Sequence, residues 1–262
     1  MRIAPFALAA LLLATPVLAQ DADPSADAAA DTTPPPQDEP APPTAGPAFT
    51  LSGGVTGVSD YRFRGLTQSG EDPALQGTAN LTHRSGLYAG VWASTLNDLG
   101  DYGNVEVDLY AGFTREFGTG FTGDVGVLYY LYPDGRGDTD FAELYGSLSH
   151  TIGPVGAELG VAYAPGGQAG LRGDDNLYLF TDLSVGVPTT PLTLKAHLGY
   201  SDGALALFDD GDYLDYALGV EANRGRFTLG LSYVNTDVRD RLGVRRAAGA
   251  DGTLVASLRF GF

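Results

Sequence analysis

Over the last ten residues, Leu254, Ala256, Leu258, Phe260 and Phe262 alternate with Thr253, Val255, Ser257, Arg259 and Gly261. A period of two places the first set on one face of a strand and the second on the other. The alternation recurs upstream, as in Val105, Val107, Leu109, Ala111 and Phe113, or Leu192, Leu194, Ala196 and Leu198. It predicts strands near residues 49–61, 74–83, 87–96, 105–116, 121–132, 140–150, 155–164, 177–187, 192–201, 213–223, 227–235 and 254–262. The links between them alternate in length. Arg84-Ser85-Gly86, Phe117-Gly118-Thr119-Gly120, Gly153-Pro154, Pro188-Thr189-Thr190-Pro191 and Arg224-Gly225-Arg226 are tight turns of Gly, Pro and polar residues. Between them fall longer links over 62–73, 97–104, 133–139, 165–176, 202–212 and 236–253.

This pattern predicts an all-β fold, a twelve-stranded antiparallel transmembrane β-barrel with an apolar outside and a watery inside, short turns at one rim and long loops at the other. The even count places both chain ends at the short-turn rim. Strands of about ten residues, tilted by about 40°, climb about 25 Å, the height of such a barrel's apolar band. A soluble sandwich would also alternate, but it gives no reason for the strict order of short and long links. Tyr129, Tyr130, Tyr132, Phe141, Tyr145, Tyr200, Tyr213 and Tyr216 gather near strand ends, where interfacial girdles are expected.

Ahead of the strands, residues 1–19 read as a signal peptide: Arg2, an apolar run through Leu13, and small residues at Val17 and Ala19 before Gln20. The run is too short to span a bilayer as a helix, and no later segment supplies the roughly 20 apolar residues required. A mature protein that enters a membrane must then do so as a closed barrel, in the cell outer membrane. Residues 20–47 carry Asp21, Asp23, Asp27, Asp31, Asp38 and Glu39, many Ala and Pro, and no basic residue. With nothing larger than Ala, Pro and Gln to bury, this stretch is expected to be a disordered periplasmic tail. The barrel is expected over 48–262.

Composition agrees with strands and turns: 37 Gly, 14 Tyr and 12 Phe against one Met and one Trp. The absence of cysteine excludes disulfides and thiolate metal sites. A net charge of −17 argues against nucleic acid as a partner.

Ser59-Asp60-Tyr61-Arg62-Phe63-Arg64-Gly65, followed by Gln68-Ser69 and Pro73-Ala74-Leu75-Gln76-Gly77, resembles the TorF-type porin family of conserved hypothetical outer-membrane proteins. Gly86-Leu87-Tyr88-Ala89-Gly90, residues 105–112, Tyr132-Pro133 and Glu143-Leu144-Tyr145 extend the resemblance. It implies an outer-membrane barrel with pore function and supplies no substrate.

With the apolar face in lipid, the opposite face would line a lumen holding Glu106, Asp108, Glu116, Asp124, Glu143, Glu158, Asp182, Asp215 and Glu221, against Arg84, Lys195 and Arg259. That surplus of acid points to a channel for ions or small solutes that favours cations. The same groups could instead pair and plug a narrow barrel. Twelve tilted strands give a backbone diameter of roughly 24 Å, narrowed by side chains to about 10 Å or less. Arg62 and Arg64 could fold inward as a constriction, bind lipopolysaccharide phosphates at the rim, or solvate a loop. The basic last loop, with Arg239, Arg241, Arg245 and Arg246, is expected against anionic lipid heads. The terminal strand is expected to engage the barrel-assembly machinery.

An outer-membrane enzyme would need a nucleophile and a base. Only His83, His150 and His197 are present, and no G-x-S-x-G elbow occurs, so no catalytic residue is assigned. Asp134, Asp138 and Asp140, or Asp209, Asp210 and Asp212, fit no defined calcium loop, and no metal site or cofactor is assigned. Arg136-Gly137-Asp138 spells an adhesion tripeptide and keeps a structural or adhesive barrel as the alternative.

Overall fold

The computed structural model describes residues 47–97, 100–206, 211–239 and 249–262. The expected signal peptide, and the expected tail apart from residue 47, lie outside them, as do Asp209, Asp210, Arg241, Arg245 and Arg246. The strands are β1 (Phe49–Val58), β2 (Arg62–Phe63), β3 (Leu66–Thr67), β4 (Ala74–His83), β5 (Leu87–Thr95), β6 (Val105–Phe117) and β7 (Phe121–Leu131). They continue with β8 (Phe141–Ile152), β9 (Val155–Ala164), β10 (Asn176–Gly186), β11 (Leu192–Gly203), β12 (Asp212–Arg224), β13 (Phe227–Thr236) and β14 (Thr253–Gly261). β1 and β4 to β14 form one closed antiparallel barrel of twelve strands, each paired with its sequence neighbour, and β1 pairs with β14 to close it. β2 and β3 make a separate two-stranded hairpin. No α-helix occurs among the described residues.

The alternation seen in the sequence is the wall of this barrel. On β7, Val125, Val127 and Tyr129 are exposed on the outside while Leu128 and Tyr130 are buried inside. Leu75, Leu144, Leu159, Leu218, Leu229 and Leu254 are each more than half exposed, and comparable side chains continue round the circumference. An apolar belt of this extent is a surface built for an apolar surrounding, since each large side chain kept in water forgoes about 1.5–3 kcal/mol.

β1 leaves the wall at Val58, three residues before the expected end of the first strand. The chain then turns inward. Arg64 (φ 49°) and Gly65 (φ 80°) form the bend between β2 and β3, and the hairpin enters the barrel from the long-loop end. A Cβ at Gly65 would lie 2.6 Å from Thr236 Cγ2 and 2.8 Å from Asp215 Cβ, so the tip is seated against β12 and β13.

Several expected girdle aromatics point the other way. Tyr130, Phe141 and Tyr213 are buried inside the barrel, and Tyr145 is half-buried on the same interior face, whereas Tyr129 and Tyr216 stay exposed outside. The physical reason is the hairpin: it supplies apolar atoms inside the long-loop half, and rings on the inner face pack with it. Phe63 meets Tyr130 edge-on at 5.9 Å, and Tyr61 meets Trp92 at 5.3 Å.

Other interior rings lie flat on glycine. Tyr88 faces Gly112, Tyr110 faces Gly90, Tyr145 faces Gly126 and Phe180 faces Gly160 across adjacent strands. A Cβ on any of these glycines would run into the opposing ring. Gly160→Ala is therefore expected to cost about 1–3 kcal/mol by overpacking. Unfolding of refolded protein in urea should show the loss, and Phe180→Leu in the same chain should recover most of it.

Candidate functional site

The interior has two halves of different chemistry. Towards the short turns the inner face carries small polar groups, with Thr122, Ser147, Ser149, Glu158 and Ser184 half-buried. Towards the long loops it is filled: Asp108, Tyr130, Tyr178, Asn176 and Asp215 have no accessible surface. The filling is the hairpin and the ion pairs that hold it.

Asp60, where the chain turns in, organises the hairpin's base. It accepts hydrogen bonds from Arg62 Nε at 2.5 Å, the Thr67 hydroxyl at 2.6 Å and the Ser69 hydroxyl at 3.3 Å. Arg62 also donates to the carbonyls of Gly65, Gly249 and Asp251, which ties the hairpin to the last loop. Arg64 crosses the interior. Its Nη2 lies 2.8 Å from both Glu143 carboxylate oxygens on β8, and its guanidinium stacks 4.3 Å from the Tyr178 ring and 4.6 Å from the Phe63 ring. Tyr213 donates to the Arg64 carbonyl at 2.9 Å, and Tyr130 donates to Glu143 at 2.9 Å. Burial alone would lower the Arg64 pKa, but the Glu143 charge, with Tyr130 and Tyr178, holds it above its ordinary value.

Of the twelve charged residues assigned to a lumen from the sequence, ten lie on the inner faces of their strands, whereas Glu116 at the end of β6 and Arg84 in the β4–β5 turn are exposed at the short-turn rim, because the strands end there and leave no wall to enclose them; both arginines of the first long link lie inside the barrel. The structure groups them. Arg64 pairs with Glu143, and Lys195 lies 3.6 Å from Glu221. Asp124 accepts from Tyr88, and Glu106 from Tyr61 and Tyr132. Glu158 faces Asp182 across β9 and β10. Arg259 runs along the wall over Gly54 of β1.

His197, considered only as a base, is the residue that sequence reasoning missed. It sits between Asp182, 2.8 Å from Nδ1, and Asp215, 3.2 Å from Nε2, with the Tyr178 hydroxyl 3.0 Å from Nε2. Asp182 is 38% exposed and Asp215 not at all, so this triad runs from the polar half to the packed half. Its signal in the sequence was parity: Asp182, His197 and Asp215 share the inner face of three consecutive strands. Its hydrogen-bond partners among the described residues are two carboxylates and one phenol, with no serine or threonine hydroxyl.

The expected loop chemistry falls elsewhere. Asp134 accepts from the backbone of Asn104 and Val105, which holds its carboxyl below the ordinary carboxylate range. Asp140 accepts from the Tyr132 backbone. Among the described residues no group of three or more His, Asp or Glu side chains could hold a metal ion.

Residues 42–262 match a family described as "Bacterial protein of unknown function (Gcw_chp)". No curated protein matches the chain. Among solved structures, a KdgM porin in complex with disordered oligogalacturonate is similar with a TM-score of 0.52 at 7% identity, over 81% of this chain and 96% of that one. An outer membrane channel from Pseudomonas putida has a TM-score of 0.49 at 12% identity, over 85% of this chain and 98% of that one. With the KdgM porin, at 7% identity, the shared property is the barrel fold.

Proposed function

The chain belongs to the Gcw_chp family of bacterial proteins of unknown function, and we propose that it is an outer-membrane channel for ions or small solutes, constricted by the inward hairpin over residues 59–73. The observation that carries this is the inversion of the barrel: apolar side chains cover the outside, while carboxylates, arginines and hydroxyls occupy the inside. Closure leaves no sheet edge for lipid to strand, so the wall is suited to hydrocarbon. The likeness of the fold to a KdgM porin and the resemblance of residues 59–77 to TorF-type porins support the same reading. Neither supplies the solute.

The constriction lies at the long-loop half, and the polar half forms a vestibule below it. Interior acids outnumber bases even after the pairs of Arg64 with Glu143 and Lys195 with Glu221 are set aside, which favours cations. Reconstitution into planar bilayers tests the proposal. In a salt gradient the reversal potential is expected on the cation side, and Asp124→Asn with Glu158→Gln should move it towards zero. Anion preference would contradict the charge assignment.

A barrel without conductance is the second reading, favoured by the complete burial of Arg64 and Glu143. It predicts no current from any variant of the hairpin.

A further inference from the structure

Inside the barrel, His197 on β11 has a carboxylate at each ring nitrogen. Asp182 on β10 lies 2.8 Å from Nδ1, and Asp215 on β12 lies 3.2 Å from Nε2, with the Tyr178 hydroxyl 3.0 Å from the same nitrogen. Only the imidazolium carries an N–H at both positions, so the arrangement is complete when the ring is protonated. The other charged or titratable groups on the surrounding inner faces are Tyr178 on β10, Tyr213 on β12, Glu158 opposite Asp182 on β9, Lys195 on β11 with Glu221 on β12, and Arg64 of the hairpin. Lys195 lies against Glu221 and Arg64 against Glu143, so His197 is the cation set between Asp182 and Asp215.

Asp215 is also the floor beneath the hairpin tip. Its side chain has no accessible surface, and a Cβ at Gly65 would lie 2.8 Å from Asp215 Cβ. Its donors are the Tyr178 hydroxyl, 3.2 and 3.1 Å from its two oxygens, and His197 Nε2. The Tyr178 ring in turn carries the Arg64 guanidinium at 4.3 Å. Asp182, at the other end of the triad, is 38% exposed, so protons enter and leave from the vestibule. When His197 loses its proton, Nδ1–H stays with Asp182 and Nε2 becomes an acceptor that competes for the Tyr178 proton. A buried carboxylate then stands without its cation under the hairpin tip, and water is its remaining source of donors. Water reaches it when the tip lifts.

We propose that His197, as an imidazolium, is the positioning residue that keeps the hairpin seated, and that its deprotonation releases the hairpin tip from Asp215 and Tyr178. The seat holds while the ring is charged and is lost as the pH rises through the titration of His197. The hairpin yields before the wall does, because β2 and β3 are two residues each. The proposal rests on the reading of the hairpin as the constriction, but it concerns where the hairpin lies rather than what crosses the barrel.

Trp92 reports the hairpin's position without a label. It is the chain's one tryptophan, buried on the inner face of β5, and the Tyr61 ring at the base of the hairpin lies 5.3 Å from its own. In barrels refolded into nanodiscs, acrylamide quenching of Trp92 is expected to rise several-fold, with a red shift of its emission, as the pH is raised from neutral. His197→Gln carries no charge at any pH and should show the raised quenching throughout. Asp215→Asn leaves no carboxylate to be stranded and should show the low quenching throughout. A merely structural role for the triad would not flatten the profile at two opposite levels. His83→Gln and His150→Gln, at the short-turn rim, should keep the native profile. A flat profile in the native chain overturns the proposal, and so does a native profile that persists in either variant whose heat-modifiable mobility shows it folded. Current measured separately in planar bilayers keeps two failures apart. A His197-dependent Trp92 response with no current at any pH refutes the channel and leaves the positioning role. Current with a Trp92 response indifferent to His197 refutes the positioning role and leaves the channel.

Discussion

Replacing Arg64 by alanine is expected to raise the conductance of the reconstituted barrel several-fold, with longer and more frequent openings. Arg64 joins the hairpin tip to the opposite wall by an ion pair with Glu143 on β8 and a stack on the Tyr178 face on β10. Its removal leaves a buried carboxylate without its cation, a loss of about 3–5 kcal/mol where a buried pair is broken one-sidedly. That cost falls on a segment that opens more easily than the sheet, because β2 and β3 are two residues each while the wall is a continuous ladder. The hairpin should therefore leave the lumen before the barrel unfolds. Arg64→Lys keeps the charge and gives up the planar stack, so an intermediate conductance is expected. A folded Arg64→Ala barrel with unchanged current would show that the hairpin does not limit passage.

The second large effect concerns the outer wall. Val127 sits at the middle of β7 on the exposed face, and Ser147 lies on the inner face of β8. Val127→Arg is expected to destabilise the barrel in lipid by about 2–4 kcal/mol, the cost of a cation near the bilayer midplane. Ser147→Arg points into the polar half and should cost far less. Denaturant titrations of both variants in vesicles measure the difference. Equal losses would mean that the two faces meet the same surroundings, and the proposed placement in a membrane would fail.

The wall was legible in the sequence because a strand's two faces differ in polarity and a period of two records this directly. Each of the twelve barrel strands overlaps its predicted segment. Asp60 continues the inward parity of Thr56 and Val58, so the pattern alone carried the first strand to residue 61. The true signal was the run from Asp60 to Gly65, in which Asp60, Arg62 and Arg64 suit an interior and Gly65 supplies the left-handed bend. Which of three fates awaited Arg62 and Arg64 depended on partners some 79 and 187 residues away in sequence, Glu143 and Gly249. Tyr130 and Phe141 were misplaced for the same reason. A ring near a strand end reads as interfacial until something inside the barrel is known to receive it.

β1 pairs with β4 over ten residues, from Phe49 opposite His83 to Val58 opposite Ala74, whereas its ladder with β14 runs only from Gly54 to Val58. The shortest joint in the wall thus connects the two strands farthest apart along the polypeptide. Every other joint links strands close in sequence, whereas this one needs Ser257 to Gly261 at the far end of the chain, so loop entropy opposes it most and closure is expected late in folding. Until then the sheet has two raw edges and can still be joined by another chain's strand. Under lateral stress, this is the line along which the cylinder would part.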